Sequence, residues 1–359
     1  MSTNPIKWYM KQGSYDDVVV SSRVRLARNL ADFDFRDRLT DDDAARLVEK
    51  VRALTPGLAG RECTEYYSCN INKLPDNERE SLVEQNAISE ELAGKKQATG
   101  LIISEDESVS IMINEEDHIR ISAAVAGSSM REAFKLADRI DDYIDSELQY
   151  AYSDRYGYLT TCMSDVGTGM RVTCMLSLPA LTVSGKITSI RDEVGKFGVV
   201  LRDAFPQNSK NTSFLYTISN QKTLGMSEQD ILENLEQIVS QIVALERKRR
   251  TAWIENARDE MEDKVARSYG VLRYTRLIAA PDALALLAQL KLGSDAGLIA
   301  LNGTGADLHR MMMEIQTATL RKMFKCGADE KEVNHARAKY INERLPRLKA
   351  EPAEGQTGG

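Results

Sequence analysis

The stretch of this chain with the most chemistry in it is MINEEDHIRI, residues 112–121, where Glu115, Glu116, Asp117, His118 and Arg120 crowd the end of an apolar run. Carboxylates and an imidazole so placed can take a proton, pair with a cation or simply end a strand in water. Residue type alone leaves these alternatives open for the three acids. His118 by itself reads as a structural hydrogen-bonding residue.

Arginines recur at the ends of predicted strands: Arg23 and Arg25 in SSRVRLARN, Arg120 in HIRI, Arg171 in VGTGMRV and Arg202 in VVLRDAF. A guanidinium is planar, permanently charged and able to grip phosphate through two parallel hydrogen bonds. Taken singly, each is as well explained as a solvated strand-edge cation. The two-residue spacing of Arg23 and Arg25, however, sends both to one face of a strand. Five such groups converging on one site would bind a polyphosphate. DVGTGMR, residues 165–171, adds small residues where backbone can approach an anion. It lacks the third glycine of a dinucleotide fingerprint and the Lys-Ser/Thr pair of a P-loop, so a plain glycine turn explains it equally well.

These residues need a scaffold, and the pattern supplies one. VVVSS (18–22), GLIIS (100–104), SVSIMIN (108–114) and HIRISAAV (118–125) read as strands, and the last three are joined too tightly for parallel crossovers. TDDDAARLVEKVRAL and SEQDILENLEQIVSQIVALERKRR open with Thr40/Asp43 and Ser227/Asp230, both spaced as capping boxes, and MREAFKLADRIDDYIDSELQYA is amphipathic. The expected class is α+β, an antiparallel sheet flanked by helices and followed by a small all-helical domain. The expected divisions are an N-terminal segment 1–17, a catalytic domain 18–254, a helical domain 255–349 and a disordered tail 350–359. The helical part comprises PDALALLAQLKLG, DLHRMMMEIQTATLRKMF and EKEVNHARAKYINERL.

Composition narrows the function classes. The chain has 359 residues, 42% of them hydrophobic and 28% charged, and no run of eighteen apolar residues suggests a membrane span. MSTNPIKWYMKQG carries no apolar signal-peptide core, so a cytoplasmic protein is expected. Five cysteines without C-x-x-C spacing, and only His118, His309 and His335, favour neither a disulfide framework nor a protein-held metal centre. A net charge of −7 disfavours a nucleic-acid surface.

SSRVRLARN, INEEDHIRI, CMSDVGTGMR and ISNQKTLGMSEQDI, in this order, resemble the phosphagen (guanidino) kinase family. The resemblance is closer to its McsB-type protein-arginine kinases, because it continues through RSYGVL into the helical C-terminal part. It implies transfer of the γ-phosphoryl of ATP, with Mg2+, to a guanidinium nitrogen. It also implies that Arg23, Arg25, Arg120, Arg171 and Arg202 clamp the phosphates. Neighbours implied to line the nucleotide site are Ser21, Ser22, Val24, Asn86, Val172, Thr173, Cys174 and Met175, and the loop Asp203, Ala204, Phe205, Pro206 and Gln207. Because a substrate arginine is protonated, a carboxylate must orient it and accept its proton. By resemblance that residue is Glu116, with Cys162 helping to hold the guanidinium.

Kinases of free guanidines carry an extra helical domain before the first arginine pair, whereas twenty-two residues precede Arg23 here. The implied substrates are therefore proteins with exposed arginines, marked for a Clp-type unfoldase and protease, with a zinc-containing activator as partner and a homodimer as the assembly. A kinase of free arginine or another small guanidine, and a catalytically impaired adaptor, are the alternatives. Three departures from the family pattern stand out. Gln207 replaces the second catalytic glutamate, with Asp203 and Pro206 replacing glycines. Asn86 replaces a nucleotide-binding histidine. VNHARA keeps only Arg337 and Ala338 of an Arg-Asp-x-x-Arg-Ala motif that binds phosphoarginine in relatives.

Overall fold

The computed structural model describes residues 7–11, 13–14, 16–62, 64–205 and 213–349. Pro206, Gln207 and the tail expected over 350–359 lie outside the described residues. The strands among them are β1 (Val19–Arg28), β2 (Tyr66–Asn70), β3 (Gly100–Ser104), β4 (Val109–Ile113), β5 (Ile119–Ala126), β6 (Tyr152–Ser153), β7 (Gly157–Tyr158), β8 (Met170–Ser177), β9 (Val199–Asp203) and β10 (Leu215–Asn220). The helices are α1 (Asp41–Arg52), α2 (Thr55–Glu62), α3 (Asp76–Glu84), α4 (Glu90–Gly94), α5 (Met130–Glu147), α6 (Pro179–Val183), α7 (Ile187–Gly195), α8 (Glu228–Tyr274), α9 (Ala280–Asp295), α10 (Gly305–Glu314), α11 (Thr317–Phe324) and α12 (Glu330–Arg344).

Eight strands form one antiparallel sheet in the order β2-β3-β4-β5-β1-β8-β10-β9. The β3-β4-β5 meander is the one its short links require. The first strand differs from its expected span: β1 runs to Arg28, because Val24 and Leu26 continue the apolar alternation past the two arginines. Arg23 and Arg25 thus sit in the middle of a central strand. The sheet buries one face under α5 and the first half of α8, in a core that includes Val24, Leu26, Ile111, Ile121, Val172 and Cys174. Part of the other face, at Val20, Met175 and Leu215, packs against the C-terminal helices.

Local caps explain where helices begin. Thr40 Oγ1 accepts from Asp43 N, and Ser227 and Asp230 satisfy each other reciprocally. The helix α8 runs through residue 254 to Tyr274, broken inside only at Ala257 (φ −146°, ψ 39°), so the expected division falls inside a helical element. The single helix expected over DLHRMMMEIQTATLRKMF is two, α10 and α11. Extended backbone at Gln316 separates them, and Glu84 of α3 caps the second by accepting from Ala318 N at 2.8 Å and Thr319 N at 2.7 Å. A tertiary cap of this kind leaves no mark in the local sequence.

Candidate active site

Register alone assembles the cations. Directly opposed residues of antiparallel strands share a face. Arg25 stands opposite Arg171 on β8, Arg23 opposite Thr173, and Ala27 opposite Arg120 on β5. Farther across, Ser21 faces Met175, Met175 faces Thr217, and Thr217 faces Arg202 on β9. Alternation therefore puts all five arginines on one face of the sheet.

Buried acids hold three of them. Asp165, 2% exposed, takes Arg171 Nη2 on Oδ1 at 2.6 Å and Arg25 Nη2 on Oδ2 at 3.0 Å. Burial pushes this carboxyl up, but Arg171 and Arg25 outweigh it and hold it below the usual carboxylate range. Arg120 pairs with both Glu115 and Glu116, the latter at 2.8 Å. Glu115 is 1% exposed and also receives Ser89 Oγ at 2.5 Å, whereas the Glu116 side chain keeps 28% of its surface. Burial, with Arg120 nearby, lowers the Arg25 pKa to about 10, and burial does the same to Arg23. Both remain charged at neutral pH. Arg23 Nη1 donates to the carbonyl of Asn86 at 2.6 Å, and Asn86 holds a left-handed backbone (φ 56°) in the loop after α3. Arg202 is exposed on the edge strand.

The remaining residues of MINEEDHIRI build the frame. Asp117 Oδ1 accepts from Asn29 Nδ2 at 2.8 Å and from Thr161 N at 2.7 Å, which ties the loop carrying Cys162 to the acidic turn. His118 Nδ1 accepts from Leu30 N at 3.0 Å. In that loop Cys162 Sγ lies 3.1 Å from Ser164 Oγ, and Asp165 N donates to the Cys162 carbonyl at 3.0 Å. Asn220 fixes the strand bearing Arg171, accepting from Val172 N at 2.8 Å.

Not every expected residue turns its side chain to the arginine row. Ser22, Val24, Val172 and Cys174 alternate to the opposite face, so their side chains are core and only their main chain borders the arginine row. Ser22 Oγ donates to the Gly127 carbonyl at 2.7 Å, and burial pushes the Cys174 thiol up to about 12. Asp203 also points away from Arg202 and pairs with Arg191 of α7 at 2.6 Å, while Ala204 and Phe205 pack on the C-terminal core. The glycines of DVGTGMR accommodate chain crossings: a Cβ on Gly169 would come within 2.5 Å of the Ala27 carbonyl oxygen. Arg337 is buried and donates to the carbonyls of Ile315 at 2.8 Å and Ile278 at 3.0 Å, so its guanidinium is spent inside the helical region.

Sequence reasoning missed Asp165; pairing with a cation, one of the readings open for the acids of MINEEDHIRI, is what Glu115 does. The signal for Asp165 was a lone acid six residues before Arg171 in an otherwise uncharged loop.

Beside Arg23 a cavity of about 160 Å3 opens between sheet and helices. Ser21, Asn86, Thr173 and Met175, all expected near a nucleotide, line it together with Thr217, Trp8, Tyr9, His309 and Met312. Among the described residues no cluster of three or more His, Cys, Asp or Glu could hold a metal ion, and no helix is long and apolar enough to cross a membrane. A row of guanidiniums, four of the five oriented by a carboxylate or carbonyl, can hold a polyanion and leave one partly exposed acid, Glu116, at its edge.

Comparison with known proteins converges on the same chemistry. The model for ATP:guanido phosphotransferase, C-terminal catalytic domain, matches residues 46–249, and that for the protein-arginine kinase McsB C-terminal domain matches 258–356. The protein-arginine kinase of Caldanaerobacter subterraneus subsp. tengcongensis is 36% identical over 332 residues, covering 92% of this chain and 98% of its own. That of Clostridium acetobutylicum is 34% identical over 339 residues, covering 94% and 99%. Among solved structures, the duplicated taurocyamine kinase from Schistosoma mansoni with bound transition state analog components superposes with a TM-score of 0.58 at 24% identity, over 68% of this chain and 36% of that one. Lombricine kinase gives 0.56 at 21%, over 68% and 72%. These two show the fold alone. The chain belongs to the ATP:guanido phosphotransferase family, and within it to the protein-arginine kinases.

Proposed function

We propose that this chain transfers the γ-phosphoryl of ATP to arginine side chains of proteins. The observation that carries the reading is the group Arg25, Arg120 and Arg171, held on one sheet face by Glu115, Glu116 and Asp165. Phosphoryl transfer is mostly positioning and charge neutralisation, and oriented guanidiniums supply both. Arg23, Arg25, Arg120, Arg171 and Arg202 bind the phosphates, and the base of the nucleotide enters the cavity beside Arg23.

Glu116 is the base. A guanidinium nitrogen of the substrate attacks the γ-phosphorus, the bond to the bridging oxygen of ADP breaks, and the proton lost by that nitrogen passes to the Glu116 carboxylate. In the structure Glu116 is engaged by Arg120, which must turn to phosphate before Glu116 is free. Cys162, on the loop tied to the acidic turn through Asp117, contacts the incoming guanidinium. Mg2+ is the proposed cation. It would be held mainly by the phosphates and would neutralise their charge, with Glu115 and Glu116 as the nearby carboxylates.

Protein rather than free arginine is favoured by the rim. Tyr152, Tyr156 and Met163, on the β6-β7 hairpin and the Cys162 loop, are 58%, 45% and 86% exposed, an apolar surface suited to a polypeptide. The marked proteins would pass to a Clp-type unfoldase and protease in the cytoplasm, with a zinc-containing activator and a homodimeric kinase. Mass spectrometry of a general protein substrate after incubation with Mg-ATP, under conditions that keep P–N bonds, should find phosphoarginine. Its absence, or equal turnover of free arginine in a coupled ADP assay, would overturn the reading.

A further inference from the structure

Helix α10 belongs to the C-terminal helical region, yet it walls the cavity that opens beside Arg23 on the catalytic sheet. His309 is the polar group of that wall. It is 7% exposed, and its Nε2 is buried without a hydrogen-bond partner among the described residues. Buried polar atoms are almost always satisfied, so an orphan on a cavity wall points to a ligand. Burial, reinforced by Lys291, holds the imidazole well below its ordinary pKa, so the ring is neutral, with one donor and one acceptor nitrogen.

The size and surroundings of the cavity say what fits. Its volume of about 160 Å3 suits one ring system, since a cavity of about 150 Å3 holds benzene. Trp8 and Met312 offer apolar walls, and Arg23 leads from it onto the arginine row. A ligand with phosphates on that row enters the cavity with its base. The helical region also braces the opposite side, because the Glu84 cap on α11 anchors α3, which precedes the Asn86 loop.

We propose that His309 hydrogen-bonds through Nε2 to the edge of the adenine ring of ATP, so that the C-terminal helical region completes the nucleotide site. This rests on the ATP-dependent reading above. Nucleotide occupancy and docking of the helices on the sheet then favour one another.

The test uses the full chain, selectively 15N-labelled at histidine, with ADP and inorganic tripolyphosphate as probes. ADP is expected to move the His309 Nε2 resonance and tripolyphosphate to leave it in place. His309→Phe, which keeps an apolar ring, should weaken ADP binding about tenfold with tripolyphosphate binding unchanged. His309→Gln should recover part of that loss. ADP binding that leaves the His309 resonance unmoved, or equal loss of both probes in His309→Phe, overturns the inference while the kinase reading stands. A wild-type chain that binds neither probe overturns both.

Discussion

Replacing Asp165 by asparagine tests the electrostatic frame most directly. The carboxylate accepts from Arg171 at 2.6 Å and from Arg25 at 3.0 Å, and asparagine keeps its shape without its charge. One amide oxygen can still serve one arginine, but the amide NH2 must face the other guanidinium, donor against donor. A hydrogen bond to a charged group is worth about 1.5–3 kcal/mol net, and water screens these two because the arginine side chains keep 25% and 24% of their surface. We expect a loss of about 2 kcal/mol at neutral pH, read as a lower urea midpoint at unchanged slope. The pH dependence fixes the cause. A carboxyl whose folded pKa is depressed contributes stability that is complete above its unfolded value of about 3.9 and is lost as pH falls through the folded value. The gap between wild type and Asp165→Asn should therefore close below about pH 4. ATP should stabilise the variant at least as much as the wild type, because its phosphates supply the missing negative charge. A gap below about 0.5 kcal/mol, or one equally wide at pH 3 and pH 7, would refute the reasoning.

Other outcomes follow from the same geometry. Arg120→Lys keeps the charge but cannot span Glu115, Glu116 and a phosphate, so phosphoarginine formation should slow by about ten- to a thousandfold in initial-rate assays. Glu116→Gln should lower the transfer rate by about a hundred- to ten-thousandfold while ADP titration shows binding intact. Gln207→Glu, which restores the second glutamate that the family resemblance implies, should raise that rate. Cys174, buried and with its thiol pushed up to about 12, should resist iodoacetamide in the native protein, and peptide mapping should find half-exposed Cys162 alkylated before it.

The β3-β4-β5 meander and the capped helices were legible because their signals are local: apolar alternation with tight turns, and Thr or Ser three residues before Asp. So was the shared face of Arg23 and Arg25, since a period of two needs no partner strand. The convergence of Arg171 and Arg202 on that face was not, because it depends on how β8, β10 and β9 pair. Nor was the break between α10 and α11, which hangs on a carboxylate more than two hundred residues away at Glu84. The acids divided in the same way. Proximity in MINEEDHIRI advertised Glu115 and Glu116, whereas Asp165 became a partner of Arg25 only through the register of β1 with β8.

The acids of the frame are unequal, and that inequality carries the mechanism. Asp165 is shared by Arg25 and Arg171, and Arg120 takes both Glu115 and Glu116, so these three arginines are held in place without a bound polyanion. Phosphate can gain these three arginines only by weakening an existing pair. Asp165 and Glu115 are 2% and 1% exposed, and each would be left buried and charged without its partner, a costly state. Glu116 keeps more than a quarter of its side-chain surface, so water can take over from Arg120 when the guanidinium turns to phosphate. Nucleotide bound as proposed above would therefore displace Glu116 and leave the other two in place to aim the cage. The group set free is the carboxylate proposed above to face a protonated substrate arginine and take its proton. On the proposed reading, loading the phosphates and unmasking the base are a single electrostatic exchange.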